Sequence, residues 1–384
     1  MNSSDRRLAR RNRRENRRNQ RKSAFAAKYD NYENVIDANN LIQAAKLSRK
    51  GVAWKSSVQK YFISLLRNTW ELRRKLKSGM SVVMGFICFN ISERGKTRHI
   101  RSVHFKERVV QRSLSDNALV PVLSRSLIYD NGASIKGKGI HFAINRCEKH
   151  LKAFYRENGF SNKGWILQID FSGYFDNIQH EPIRRMILKN FKDQHLRWLI
   201  WQFVKSFGNK SLGIGSQVSQ ILAVSYPNSI DHYAKEVLRL KHSARYMDDS
   251  YFIHSDRVYL EYCLEELKKK YDELGIVLNE RKTHIIPVRS FTFLKVRYSL
   301  TSTGKVIKKP CQKSVTVWRR NLKAFKRKVD CGEMTMEEVI ASHESHRGHL
   351  KHLNSHKTIR SMDKLFYELY GVYPSRKSER KKTS

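Results

Sequence analysis

Acidic residues are scarce in this chain: 35 Asp and Glu stand against 76 Lys and Arg in 384 residues, a formal net charge of +41. Solubility alone does not call for so one-sided a charge. It argues against an enzyme of small neutral substrates and for a chain that must neutralise many phosphates. Cysteine is scarce too. Cys88, Cys147, Cys263, Cys311 and Cys331 form no CxxC or short pairing pattern, so neither a zinc site nor a disulfide framework is indicated, and a reducing cytosol fits. No apolar run reaches the ~18 residues of a membrane span. Arg repeats stand where a signal peptide would carry its apolar region. A soluble, cytoplasmic protein with no membrane insertion is expected.

What is present suffices for a core. Hydrophobic residues make up 40% of the chain and aromatics 11%, enough for two or three modest domains. Residues 1–22, MNSSDRRLARRNRRENRRNQRK, carry nine Arg and one Lys against two acids. Such a segment cannot bury a core by itself, so residues 1–25 are expected to form a basic arm, disordered or ordered by RNA. Phosphate contacts are expected from Arg10, Arg11, Arg13, Arg14, Arg17 and Arg18. SRKSERKKTS repeats the charge on a smaller scale, in a basic tail over 373–384.

From 26 to 80 the spacing predicts helices, with Phe62, Leu65, Leu66, Trp70 and Leu72 on one apolar side. SVVMGFICFNI, 81–91, reads as a strand, followed by a basic turn and a helix around Phe105 to Leu119. GWILQIDF, 164–171, is a short apolar strand ending in a carboxylate, and 181–207 reads as helical. A helix from about Ser219 to Leu240 leads into a strand–turn–strand around ARYMDDSYFIH, 244–254. The stripe Leu260, Leu264, Leu267, Tyr271 and Leu274 predicts a packed helix, FTFLKVRYSL a hairpin, and 313–370 a small basic helical domain.

The chemistry centres on Asp248 and Asp249. Asp favours tight turns, but Tyr246, Met247, Tyr251, Phe252 and Ile253 make both flanks strand-like. The two carboxylates are then held side by side, and like charges so close are costly without a cation. A divalent metal is the natural remedy. Asp170 ends another apolar strand, far enough upstream for a helical crossover to a neighbouring strand. Carboxylates from adjacent strands holding two Mg²⁺ ions, with Mn²⁺ as an alternative, suit nucleotidyl transfer, in which the ions activate a 3′-hydroxyl and stabilise leaving pyrophosphate.

The motifs QIDFSGYFDNIQH, IGSQVSQ, YMDD, LNERKTHI and FTFLK occur in the order seen in reverse transcriptases, and the chain resembles those of bacteria and their phages from about Gly85 to Gly371. That resemblance implies an α+β right-hand polymerase, with fingers, a palm built on an antiparallel sheet, and a helical thumb. The expected divisions are an N-terminal helical extension and fingers over 26–163, a palm over 164–304 with finger helices inserted near 181–207, and a thumb over 305–372. It implies Asp170, Asp248 and Asp249 as metal ligands, with the Phe171 carbonyl sharing a metal. Lys282 matches a lysine that protonates the leaving pyrophosphate. Lys96 and Arg98 match finger residues that hold the incoming triphosphate. Phe175 matches an aromatic gate against the ribose 2′-hydroxyl, and Phe293, Leu294 and Lys295 match the primer grip.

One departure is informative. Group II intron and retron enzymes carry a Gln-Gly pair followed by Ser-Pro where this chain reads Ile214-Gly215-Ser216-Gln217-Val218-Ser219-Gln220. This form resembles diversity-generating retroelement and some defence-associated enzymes. It places Ile214, Gly215 and Gln217 at the nucleotide, and Ser219 and Gln220 beside nucleic acid. Replacing an amide by Ile214 removes a polar contact near the sugar, so reduced fidelity is expected unless Gln217 takes that role.

The expected activity is RNA-templated DNA synthesis from dNTPs. A compact enzyme with no fused targeting domain takes its specificity from a partner, so a structured non-coding RNA is expected as template, in antiphage defence. A mutagenic retroelement enzyme is the alternative role. An RNA-copying RNA polymerase is disfavoured by Phe175, and a non-catalytic RNA-binding protein by the intact carboxylates. Assembly as a homo-oligomer or with an accessory protein stays open. His343, His346, His349, His352 and His356 lack HExxH spacing and are expected to face nucleic-acid backbone or solvent rather than metal.

Overall fold

A computed structural model describes residues 3–93 and 96–374, and the side chains of these apart from 3–5, 93 and 96. The basic tail from 375 onward lies outside the described residues. The described residues form two compact units, one within 3–93, 96–137, 171–237 and 266–279, the other within 138–170, 238–265 and 280–374. Among the described residues no helix is long and apolar enough to cross a membrane.

The first unit is mostly helical. Its middle is Phe105–Leu114, with Val109, Val110 and Leu114 fully buried, continuing through a π turn, Ser115–Leu119, into Val120–Ser124. The helices Tyr32–Ile36, Ala38–Ser48 and Ser56–Ile63 pack against it. Asp37 starts Ala38–Ser48 by accepting from the Asn39 and Asn40 amides, donors that a first helical turn otherwise leaves unmet. Asp193 starts Gln194–Lys205 likewise, and its second oxygen accepts the Tyr32 amide at 2.7 Å. Strands β1 (Phe86–Glu93) and β2 (Lys96–Val103) pair antiparallel from Phe86↔Val103 to Glu93↔Lys96.

The second unit holds the larger sheets. β3 (Trp165–Asp170), β4 (His242–Tyr246), β5 (Asp249–His254) and β6 (His284–Pro287) form an antiparallel sheet in the order β4-β5-β3-β6. β7 (Ser290–Phe293), β8 (Val296–Leu300) and β9 (Val306–Pro310) form a second, in sequence order. The helix Ile140–Glu157 buries Ile144, Cys147, Leu151 and Phe154 in the core shared with Ile166, Tyr251, Phe293 and Tyr298. Two tyrosines of this core make polar contacts within it: His150 Nδ1 lies 2.8 Å from the Tyr251 hydroxyl, and the Tyr298 hydroxyl donates to the Ile144 carbonyl at 3.4 Å. The helices Gln312–Asp330, Met336–Leu350 and His356–Tyr370 close around a small core of Leu322, Val339 and Phe366. A capping box of Thr335 and Glu338 opens the middle helix.

Four expectations are corrected. The apolar side drawn through Leu66 and Trp70 is exposed, at 73% and 61%. Ser64, at φ −122° and ψ 48°, breaks the helix, and Leu65–Lys77 buries Leu72, as expected, together with Thr69 and Leu76. The strand over 81–91 begins only at Phe86. The single helix over 219–240 is divided at Pro227, whose ring removes an amide donor, into Gln217–Ser225 and Asn228–His232, the latter running on into a π turn, Tyr233–Val237. His343 does not face nucleic acid or solvent: it is fully buried, 3.2 Å from Trp318 Nε1 and 3.1 Å from Asp363, while His346 stacks on Trp318.

Candidate active site

The acidic centre lies within the second unit. In the β3–β5 register Asp170 is opposite Asp249, and Tyr246 is opposite Asp249 across β4–β5. Met247 and Asp248 therefore make a two-residue turn, so that Asp170 and Asp249 occupy the ends of two adjoining strands and Asp248 the turn next to Asp249. Met247 takes φ +57°, a left-handed conformation that costs a non-glycine residue on the order of 1 kcal/mol or more. Arg245, 1% exposed, donates from Nη1 to the Met247 carbonyl at 3.0 Å. That bond ties a buried guanidinium to the turn. Sequence reasoning missed Arg245, although a full charge within an apolar strand pattern was the signal.

Asp170 is buried and Asp249 half-buried. Burial first, then the negative charges of Asp248 and Asp170, push Asp249 up to about 7. Lys282 Nζ lies 2.8 and 2.7 Å from the two oxygens of Asp170. Among the described residues no three acidic, His or Cys side chains converge on one ready-made cation site. In this conformation the lysine ammonium supplies the positive charge at Asp170.

A cleft of about 390 Å³ opens beside these groups, bordered by Asp170, Asp249 and Lys282, and by Phe293, Leu294 and Arg297. Gln168 Nε2 donates to the Thr292 carbonyl at 2.8 Å and ties β3 to β7. Leu294 and Lys295 form the β7–β8 turn at φ +51° and +62°. Such a turn favours Asn-Gly, so this one is strained by its residue types. Of the expected primer-grip residues, Phe293 is buried, Leu294 half-buried and Lys295 exposed. The cleft brings Phe293 and Leu294 to the carboxylates; Arg297 joins them without having been expected.

The remaining expected residues lie in the first unit. Phe171 is buried and its backbone pairs with Leu278. Phe175 is half-buried, and its carbonyl accepts the Leu212 amide at 2.8 Å. Two residues on, the Ile214 carbonyl accepts from the Arg101 amide of β2 at 3.0 Å. Gly215 has φ +122°, and a Cβ there would stand 2.7 Å from the Arg101 carbonyl oxygen, so only glycine fits this approach. Thus Ile214 and Gly215 lie on the strand that carries Arg98. The Lys96 side chain lies outside the described residues.

Gln111 fixes the next two residues. Its Oε1 accepts from Ser216 Oγ at 2.9 Å and from the Gln217 amide at 3.2 Å, and its Nε2 donates to Glu107. Glu107 also accepts the Met84 amide, and burial raises its pKa. Ser219 is 1% exposed with its amide on Ser216 Oγ, whereas Gln220 is exposed. Arg10, Arg11, Arg13, Arg14, Arg17 and Arg18 are all exposed on the helix Ser3–Tyr29. Arg101 and Gln111 escaped the sequence reading because neither belongs to a motif. Their role appears only when the loop 214–217 closes on them.

A sequence model of the family described as reverse transcriptase (RNA-dependent DNA polymerase) matches residues 91–298. Protein YkfC of Escherichia coli (strain K12) is 23% identical over 151 residues, 37% of this chain and 38% of that protein. Among solved structures, apo telomerase from Candida tropicalis, truncated from its C-terminal domain, shares 14% identity at a TM-score of 0.46, over 58% of this chain and 54% of that one. Telomerase from Candida albicans, in complex with a TWJ fragment of telomeric RNA, shares 12% identity at a TM-score of 0.46, over 81% and 65%. In each case the chain spans less than two thirds of the other protein's length. With its family match covering more than half of the sequence, the chain belongs to the reverse transcriptase (RNA-dependent DNA polymerase) family.

Proposed function

We propose that this chain copies RNA into DNA by two-metal nucleotidyl transfer at Asp170, Asp248 and Asp249. The observation that carries this reading is the register that sets Asp170 opposite Asp249, with Asp248 in the adjoining turn. Burial, and after it the negative charges of Asp248 and Asp170, push the half-buried Asp249 carboxyl up to about 7, and a divalent cation would relieve that crowding of like charge. Asp170, Asp248, Asp249 and the Phe171 carbonyl would hold two Mg²⁺ ions, or Mn²⁺. When bound, such ions lower the pKa of a 3′-hydroxyl and stabilise leaving pyrophosphate.

Loading the cluster requires Lys282 to leave Asp170. Its ammonium is then available to donate a proton to the departing pyrophosphate. Lys96 and Arg98 take the triphosphate as charge-assisted donors. Gly215 and the Gln111-anchored Gln217 amide shape the nucleotide site, and the half-buried ring of Phe175 excludes a 2′-hydroxyl. Phe293, Leu294 and Lys295 support the primer. In this reading 26–163 serve as N-terminal extension and fingers, 164–304 as palm and 305–372 as thumb, the arrangement of a right-hand polymerase.

The template we assign is a structured non-coding RNA, and the role is antiphage defence. One observation favours a second role, a mutagenic retroelement enzyme: Ile214 presents an apolar side chain in place of an amide, and a site with fewer hydrogen bonds discriminates less. The reading is tested by primer extension with purified protein and Mg²⁺ on an RNA template. Extension with dNTPs and little with rNTPs is expected. Extension with rNTPs alone, or no extension on RNA, contradicts it.

A further inference from the structure

The helix Ser3–Tyr29 exposes nine Arg and one Lys between Arg6 and Lys22. At 3.6 residues per turn, all ten fall on one half of its circumference. Leu8, Ala9, Asn12, Glu15, Asn16, Asn19 and Gln20 occupy the other half. Toward its C-terminal end, Arg14, Arg17, Arg18, Arg21 and Lys22 surround a hollow of about 430 Å³ with Arg125. Arg125 caps the end of Val120–Ser124, and its guanidinium lies 4.2 Å from the centre of the Phe25 ring. Six cations thus line one hollow. Like charges three and four residues apart on a helix repel, so this face is built for a polyanion.

Three features narrow the partner. A membrane-surface helix needs an apolar face opposite its cations, and here that face is mostly Asn, Gln and Glu. A single-stranded nucleic acid is gripped by aromatic platforms as well as cations. No aromatic residue precedes Phe25 in the sequence, and Phe25 is already packed on Arg125 and Tyr29. What remains is recognition of backbone alone. Cations spread over half a cylinder point to both sides of the helix, which suits two phosphate rails rather than one flat strand.

We infer that this half-cylinder docks a double-helical RNA stem, with the hollow at Arg125 taking phosphates of one strand. The inference rests on the proposed use of an RNA partner and adds which part of that RNA is held, and by which face. Double-stranded RNA is recognised through shape and backbone rather than sequence, as a face without base-reading groups requires.

The test keeps net charge and composition constant. In the full chain, Arg14→Asn, Arg17→Asn and Arg18→Asn are combined with Asn12→Arg, Asn16→Arg and Asn19→Arg, which moves three guanidiniums to the opposite half of the helix. A second variant, Arg125→Ala, leaves the helix sequence untouched. Circular dichroism checks that both fold. Probes are a 20-base-pair RNA hairpin, single-stranded RNA of the same length and a DNA duplex of the same sequence, titrated at several salt concentrations. Relocation is expected to weaken hairpin binding about tenfold and reduce the salt slope by roughly 2 to 3, near 0.9 per lost phosphate contact. Arg125→Ala is expected to weaken it about threefold, with the slope falling by about one. Unchanged hairpin affinity in both variants overturns the inference, as does wild-type binding of single-stranded RNA or duplex DNA as tight as that of the hairpin. Incorporation of dNTPs by the wild-type chain on a short annealed primer–template is measured alongside. Its absence counts against the polymerase reading, whereas loss of preference for the hairpin counts against the docking face alone.

Discussion

Lys282 reaches both carboxylate oxygens of Asp170, at 2.8 and 2.7 Å. An ammonium so placed competes with any metal for Asp170, and it is also the group assigned to protonate pyrophosphate. Lys282→Met separates the two roles. Mn²⁺ binding without nucleotide, followed by calorimetry, is expected to tighten several-fold. Single-turnover dNTP incorporation is expected to slow by about 10²-fold, the lower range for loss of a general acid. Unchanged Mn²⁺ affinity would show that the lysine does not compete.

The raised pKa of Asp249 makes metal-free stability depend on pH. A carboxyl whose folded pKa stands above its unfolded value binds its proton more tightly in the native state. Its stabilising contribution is therefore full below the unfolded pKa and lost as pH rises through about 7. Asp249→Asn removes that loss. In EDTA the variant should melt above wild type by a few degrees at pH 8, by less at pH 5.5, and by almost nothing at pH 4. A constant difference across this range contradicts the assignment.

Phe175 is half-buried rather than enclosed in the core, as a gate must be. Phe175→Ala is expected to raise the ratio of rNTP to dNTP kcat/KM by about tenfold or more, since about 1.4 kcal/mol of steric discrimination is a factor of ten. The same ratio in a folded variant returns Phe175 to a packing role.

Gln111 joins Glu107 to the 216–217 loop. Gln111→Ala leaves the Ser216 hydroxyl and the Gln217 amide without this acceptor, at a cost of about 1–3 kcal/mol in stability. KM for dNTPs should rise more than kcat falls, because the loop proposed to hold the nucleotide is loosened while the carboxylates stay in place. Equal falls in kcat and kcat/KM would instead place Gln111 in the chemical step.

Much of the site was legible because its chemistry is local. The strand ending at Asp170, the turn at Asp248 and the hairpin at Leu294 each follow from a short apolar or alternating run broken by polar residues. Helix limits were less legible. The break at Ser64 and the burial of Thr69 and Leu76 beside the expected Leu72 depend on which neighbours pack, and spacing alone suited Leu66 and Trp70 equally well. Buried polar partners were least legible. His343 lies in a basic, histidine-rich segment, yet Trp318 and Asp363, distant in sequence, draw it into the core. Arg101 and Gln111 likewise acquire their roles only through contacts more than 100 residues along the chain.

Asp248 and Asp249 are proposed to hold the metals of DNA synthesis and to contribute little to packing. The most direct test of that proposal is single-nucleotide dNTP incorporation on an RNA template with Mg²⁺, comparing wild type with Asp248→Asn combined with Asp249→Asn, alongside melting temperature and RNA affinity. Extension by wild type and none by the double variant is expected, with RNA affinity unchanged and a melting temperature no lower than wild type. Extension by the double variant at the wild-type rate would contradict the proposal.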